Sequence, residues 1–146
     1  MKPEPSDLQK HALFGGIVDE QIEIIVPLMQ VETFEPGAVV IAEGQQNDRI
    51  HFILEGEVEV SKRGVPLTAF REGEVFGEME VLDIMPAEAT ITALSPLRVM
   101  VLSNRNLREL YRQDIKAFSL VIMNLARDLS RRLRVMNGYY TESIGQ

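Results

Sequence analysis

The residues best equipped for chemistry stand together in the middle of the chain: Gly77-Glu78-Met79-Glu80, followed by Asp83 and Glu88. A glycine that opens one or two helical turns leaves the first backbone N–H groups without intrahelical partners. The stretch between Phe76 and Pro86 is therefore a candidate anion cradle. Its carboxylates offer the opposite chemistry, since Glu78, Glu80, Asp83 and Glu88 could give hard oxygen donors to a divalent cation or an acidic pocket to a cationic ligand. The plainer reading is a solvated acidic rim, and no metal site is assigned. His11 and His51 are isolated from each other, and packing or surface roles are expected for both. The chain has no cysteine, which removes thiolate nucleophiles, disulfides and cysteine-ligated metals. Glu57/Glu59 and Glu72/Glu74 have the two-residue period of an exposed strand face, and no nucleophile, base and orienting group form a constellation. No catalytic residue is assigned, and the chain is not expected to be an enzyme.

Short β-type runs flank that central stretch. Val31–Phe34, Val39–Ile41, Ile50–Leu54, Glu57–Ser61, Val65–Phe70, Thr90–Leu94 and Leu97–Leu102 are separated by Pro36-Gly37, Glu43-Gly44, Glu55-Gly56, Arg63-Gly64 and Glu72-Gly73. That rhythm predicts an antiparallel sandwich or barrel, with Pro66 confining the fifth run to an edge. Ahead of the strands, Ile22, Ile25, Val26 and Met29 recur at helical spacing over Asp19–Gln30, with Asp19 as N-cap and Pro27 as a kink or early end. After them, Ser103 can cap a helix over Asn104–Arg112. Asp114 can cap a longer one that ends near Gly138 as its C′ residue. The long helix carries Ile115, Phe118, Ile122, Leu125 and Leu129 on one face, while Leu120, Val121 and Met123 form a second. Arg127, Arg131, Arg132 and Arg134 then read as a solvated basic end, and 139–146 as a frayed tail.

A length of 146 residues with 45% hydrophobic and 25% charged residues fits one globular domain with a real core. No run approaches the length of a membrane span, and the N-terminus lacks the pattern of a secretory leader, so a cytoplasmic protein is expected. The net charge of -7 is unevenly spread: residues 1–103 hold 7 Lys/Arg against 18 Asp/Glu, and residues 104–146 hold 8 against 4. An acidic body repels phosphates, and a modestly basic tail is screened in physiological salt, which argues against DNA binding by this chain alone.

Leu13-Phe14, Pro36-Gly37, Glu43-Gly44, Asp48, Phe52-Ile53-Leu54-Glu55-Gly56 and Phe76-Gly77-Glu78-Met79 occur in that order between about Leu13 and Leu133. In this the sequence resembles the cyclic-nucleotide-binding domain family, as in catabolite-activator regulators and the regulatory subunits of cyclic-AMP-dependent kinase. The resemblance implies a mainly β fold, a jelly-roll-like β-roll with flanking helices followed by a long C-terminal helix. It divides the chain into N-terminal helices (1–30), the roll (31–102), C-terminal helices (103–138) and the tail. It also makes 76–90 a phosphate-binding cassette, with Gly77, Glu78, Met79, Ala87, Glu88, Ala89 and Thr90 as ligand-binding candidates.

In the family the glutamate takes the ribose hydroxyl and an arginine pairs with the cyclic phosphate. Here Gly77 and Glu78 stand in the matching places, but Ala87 occupies the arginine position, and Glu88 and Glu80 replace small residues. The resemblance thus implies a regulatory sensor with an altered cassette, whose effector is a cyclic nucleotide or another small anion and whose signal passes through the C-terminal helix. The alternative is a homodimerisation or partner-docking module that binds no ligand. A homodimer is expected through Ile115, Phe118, Ile122, Leu125 and Leu129, with output through self-association or through a separate effector protein.

Overall fold

The structure, a computed structural model, describes residues 2–144. Two short helices begin the chain, α1 (Pro5–Gln9) and α2 (Asp19–Ile25), with a 3-10 turn at Ala12–Phe14 between them and another at Val26–Leu28. The helix expected over Asp19–Gln30 therefore stops early, with Pro27 inside the second 3-10 turn. Its N-cap is Val18 rather than Asp19, and the Val18 backbone N–H donates to Gln21 Oε1 at 3.1 Å. His11 precedes the first 3-10 turn and sets its ring edge-on to Phe52.

The strands are β1 (Gln30–Phe34), β2 (Val39–Ile41), β3 (Arg49–Glu55), β4 (Val58–Lys62), β5 (Val65–Phe70), β6 (Val75–Phe76), β7 (Thr90–Ala93) and β8 (Leu97–Ser103). They form two four-stranded antiparallel sheets, ordered β1-β8-β3-β6 and β2-β7-β4-β5. β5 lies at an edge, as Pro66 requires. The jelly-roll-like architecture matches the expectation, and the two-residue β6 is the strand that sequence patterning did not show.

The first sheet is covered on both faces, which explains the nearly unbroken apolar runs of its central strands β3 and β8. Ile50 and Phe52 of β3, with Met100 and Leu102 of β8, join Leu8, Phe14, Ile22 and Ile25 in a core beneath the helices. The alternate residues Ile53, Val99 and Val101 face the second sheet and meet Ile41, Val58 and Ile91 in another core. The molecule is thus layered as helices, sheet, sheet.

Three helices remain: α3 (Glu78–Asp83), α4 (Asn104–Gln113) and α5 (Ile115–Ile144). Ser103 caps α4 by accepting from the Asn106 N–H at 3.1 Å, and Asp114 accepts from the Ala117 N–H at 3.0 Å, as their positions predict. Gly138 does not end α5. It lacks the positive φ of a C′ glycine, and a helix tolerates a glycine at a cost of about 1 kcal/mol, so α5 continues to Ile144. The expected tail is helical as far as it is described, and 145–146 lie outside the described residues.

Buried Asn124 fixes the slope of α5 across the body. Its side-chain amide donates to the carbonyls of Leu13 at 2.8 Å and Gly15 at 2.9 Å. One member of the expected dimer stripe lies on this packed face. Leu125, 1% exposed, sits in the helix-side core with Ala117 and Val121, because the face that carries Asn124 must pack on the domain itself. Phe118 and Ile122 pack partly against the same core.

Candidate functional site

Gly77 is the pivot of the central stretch. Its φ of 82° lies in the left-handed region, and a Cβ there would stand 2.7 Å from the Arg49 carbonyl oxygen and 2.9 Å from His51 Nδ1. Only glycine meets both demands. Asn47 braces the turn, donating its amide to the Gly77 carbonyl at 2.9 Å and to the Arg49 carbonyl at 3.0 Å. From Gly77 the chain enters α3, whose far end is Ile84, a β-branched residue held in the left-handed region at φ 59° and 83% exposed.

A cavity of about 280 Å³ opens between α3, the second sheet and α5. Val60, Leu67, Phe70, Phe76 and Ile91 give it an apolar wall, and Lys62, Glu78, Glu80, Glu88 and Arg132 supply its charges. Five of the seven ligand-binding candidates line it: Gly77, Glu78, Met79, Glu88 and Ala89.

The other two do not. Ala87 is 5% exposed and its methyl joins the inter-sheet core, because its backbone N–H and carbonyl are tied to Gln45 and Gly44, each at 2.8 Å. Thr90 turns its hydroxyl to the Glu43 backbone N–H at 3.0 Å.

Glu78 is 2% exposed and does not stand alone. Arg132, reaching back from α5, donates to Glu78 Oε1 at 2.8 Å and to the Val75 carbonyl at 2.6 Å, and pairs with Asp128 at 2.8 Å. Its guanidinium also lies 4.4 Å from the centre of the Phe70 ring. Arg132 is therefore not part of a solvated basic end, as sequence reading has it, but the bolt that joins α5 to α3. Burial pushes the Glu78 carboxyl above its ordinary range against the pull of Arg132. Burial raises Glu80 too, against the hydrogen bond from Asn47.

Behind the cavity wall, His51 stacks on Phe76 with ring centres 4.6 Å apart. It is 4% exposed, and its Nδ1 has no hydrogen-bond partner. Burial, helped by the Arg49 cation, lowers its pKa to about 4, so the ring is neutral near pH 7.

At the mouth, Lys62 Nζ meets Glu88 Oε1 at 3.1 Å, with side-chain exposures of 36% and 65%. Asp83 is spent on the Met85 backbone N–H at 3.0 Å. Among the described residues no group of three or more acids or histidines is placed to hold a metal ion.

The family model for the cyclic nucleotide-binding domain matches residues 31–114. Over 83 residues the chain is 36% identical to the cAMP-dependent protein kinase regulatory subunit of Eremothecium gossypii, covering 56% of this chain and 18% of that protein. The CRP-like cAMP-activated global transcriptional regulator of Mycobacterium tuberculosis is 27% identical over 142 residues, covering 94% of this chain and 62% of the regulator. The chain thus spans only part of these relatives. Among solved structures, a cyclic nucleotide-binding domain from Methylobacillus flagellatus KT aligns with a TM-score of 0.80 at 28% identity, covering 90% of this chain and 76% of that one. The Thermus thermophilus catabolite activator protein aligns at 0.77 and 25% identity, covering 88% and 61%.

Proposed function

The chain belongs to the cyclic nucleotide-binding domain family, and from that premise we propose that it is a regulatory, non-catalytic module whose cavity takes a small effector and whose α5 reports occupancy. The observation that carries this reading is Arg132, which binds the cavity's buried acid Glu78 while belonging to the helix that must move. A ligand that takes a hydrogen bond from Glu78 competes with Arg132. It shifts α5 by binding the released arrangement better than the bolted one. The alanine at position 87 removes the cation expected of a phosphate site, so affinity for cyclic nucleotides is low and the cassette is altered from the family pattern.

Amide hydrogen exchange with saturating cyclic AMP or cyclic GMP tests the proposal. Protection over 76–91 together with changed exchange over 128–140 is the expected result. Unchanged exchange in both segments overturns it.

A second reading, homodimerisation, is favoured by the free end of α5. Every residue from Leu133 to Ile144 is exposed. Ile115, Ile122, Leu129, Leu133, Met136 and Tyr140 lie on one stripe, with small Ser119 and Ala126 at the intervening heptad positions. Beyond Met136, which lines the cavity, an exposed helix end of this kind gains little stability without a partner, and a second copy supplies the same stripe by two-fold symmetry. Ile115, Ile122 and Leu129 of the expected interface stay in this revised stripe, while Phe118 and Leu125, which pack on the domain's own core, leave it. Leu133→Glu with Tyr140→Glu, which touches no cavity residue, converts the dimer to a monomer in sedimentation velocity; a monomeric unmodified protein sinks the idea. Any separate effector protein engages the module through the same exposed helix. Among the described residues no helix is long and apolar enough to cross a membrane.

A further inference from the structure

We propose that Lys62 is the anion-binding cation of the cavity and that Glu88 holds it in reserve, so that the effector is an organic anion whose acidic group replaces the Glu88 carboxylate. This rests on reading the cavity as an effector site. Two basic side chains line the cavity, Lys62 and Arg132. Arg132 is committed to Glu78, Val75 and Asp128 and is stacked on Phe70. Lys62 meets only Glu88 among the described residues.

The backbone places Lys62 opposite the segment where the resemblance expects an arginine. β4 pairs with β7 in a register that sets Ser61 against Thr90, so Lys62 lies beside Ala89 and Glu88. Val60 and Lys62, two residues apart on one strand, both face the cavity, and the ammonium therefore crowns an apolar wall. That wall suits a flat, mostly apolar ligand body with one charged end.

The two members of the pair are not equivalent. Lys62 stands on a strand whose partners flank it on both sides. Glu88 follows the α3 segment outside any strand and is 65% exposed, so its carboxylate can swing into water at little cost. When it leaves, an unpaired ammonium remains in the cavity wall. Glu78 and Glu80 do not invite a cation instead, because Arg132 and Asn47 already engage them. Selectivity follows from this exchange: a ligand without an anionic group gives Lys62 nothing in return for Glu88.

Calorimetric titration with cyclic AMP, cyclic GMP and adenosine tests the assignment. Glu88→Gln is expected to bind at least one cyclic nucleotide about tenfold more tightly than the unmodified protein, with no gain for adenosine. Lys62→Met in the Glu88→Gln background is expected to erase that gain. Glu88→Arg is the control that separates the two ideas, since it places a guanidinium in the cavity independently of Lys62. If Glu88→Arg binds while the Glu88→Gln gain is absent, survives Lys62→Met or extends equally to adenosine, Lys62 is not the anion's partner and the effector-site reading stands. If no variant binds, Glu88→Arg included, while all melt as the unmodified protein does, the cavity is not an anionic effector site and both ideas fall.

Discussion

The cavity has two ends, each closed by one acid and one base, and they differ in almost everything but distance. Glu78 and Arg132 meet at 2.8 Å with side-chain exposures of 2% and 25%; Lys62 and Glu88 meet at 3.1 Å with 36% and 65%. At the closed end the carboxylate has lost its water and depends on the guanidinium, which brings further bonds to Val75 and Asp128. At the open end water solvates both partners and the pair adds little. The same contact therefore acts as a structural bolt in one place and as an exchangeable cover in the other. Depth decides which.

Arg132→Met is the harshest challenge to that contrast. It leaves Glu78 buried without a cation, and breaking a buried pair on one side costs about 3–5 kcal/mol, read as a lower urea midpoint near neutral pH. The sign of the pH dependence follows from the raised Glu78 pKa. A carboxyl raised on folding contributes stability that is full below its unfolded value and is lost as pH rises through the folded value. Removing Arg132 raises the Glu78 pKa further, so the penalty should shrink as pH falls and the neutral acid no longer needs a partner. A loss under about 1 kcal/mol at neutral pH would make the closed end no stronger than an exposed pair.

How much of this was legible in the sequence depends on the range of the forces involved. Strands bounded by glycine turns, the Ser103 and Asp114 caps and the Gly77 pivot are set by neighbouring residues, and patterning finds them. Val75–Phe76 escapes because two residues show no period. The role of Arg132 escapes because it acts across 54 residues, through a helix whose slope is fixed by Asn124 bonding to Leu13 and Gly15. Its only local trace is Asp128 four residues before it, one i,i+4 pair in a generally basic stretch. Ala87 shows the limit of motif alignment: the position matches the family's arginine, but its side chain packs into the core. Lys62 had a usable signal, since Val58, Val60 and Lys62 keep the two-residue period of the inward face of β4.

His51 extends the contrast behind the closed end, where a buried titratable group has no charged partner of opposite sign and its Nδ1 has no hydrogen-bond partner. Its pKa is lowered from 6.5 to about 4. The unfolded chain therefore takes up the proton first as pH falls, and the stability tied to the neutral ring is present above about pH 6.5 and declines toward pH 4. For a group this buried the total is about 3 kcal/mol. Glu78 and Glu80 have raised values and act in the opposite sense, so the His51 contribution is read as the difference in slope between two proteins rather than from one curve. His51→Phe, which keeps a ring against Phe76, should flatten the decline between about pH 6.5 and pH 4 in denaturant titrations. An unchanged slope would mean that the imidazole is not buried in its neutral form.

The smallest expected effect belongs to the open end, and its smallness is the point. Glu88→Gln removes the acid facing Lys62 but leaves both positions hydrated, so the unfolding free energy should change by less than about 0.5 kcal/mol after allowing for solvent screening. Added salt should have little further effect on the unmodified pair, because water already screens most of its attraction. The expected profile is thus a variant that unfolds as the parent does while its affinity for an anionic ligand rises. Loss of stability comparable to that of Arg132→Met would show that the Lys62–Glu88 pair also braces the sheet against 86–90. The cover would then be a second bolt, and an entering anion would have to unfasten structure in order to reach Lys62.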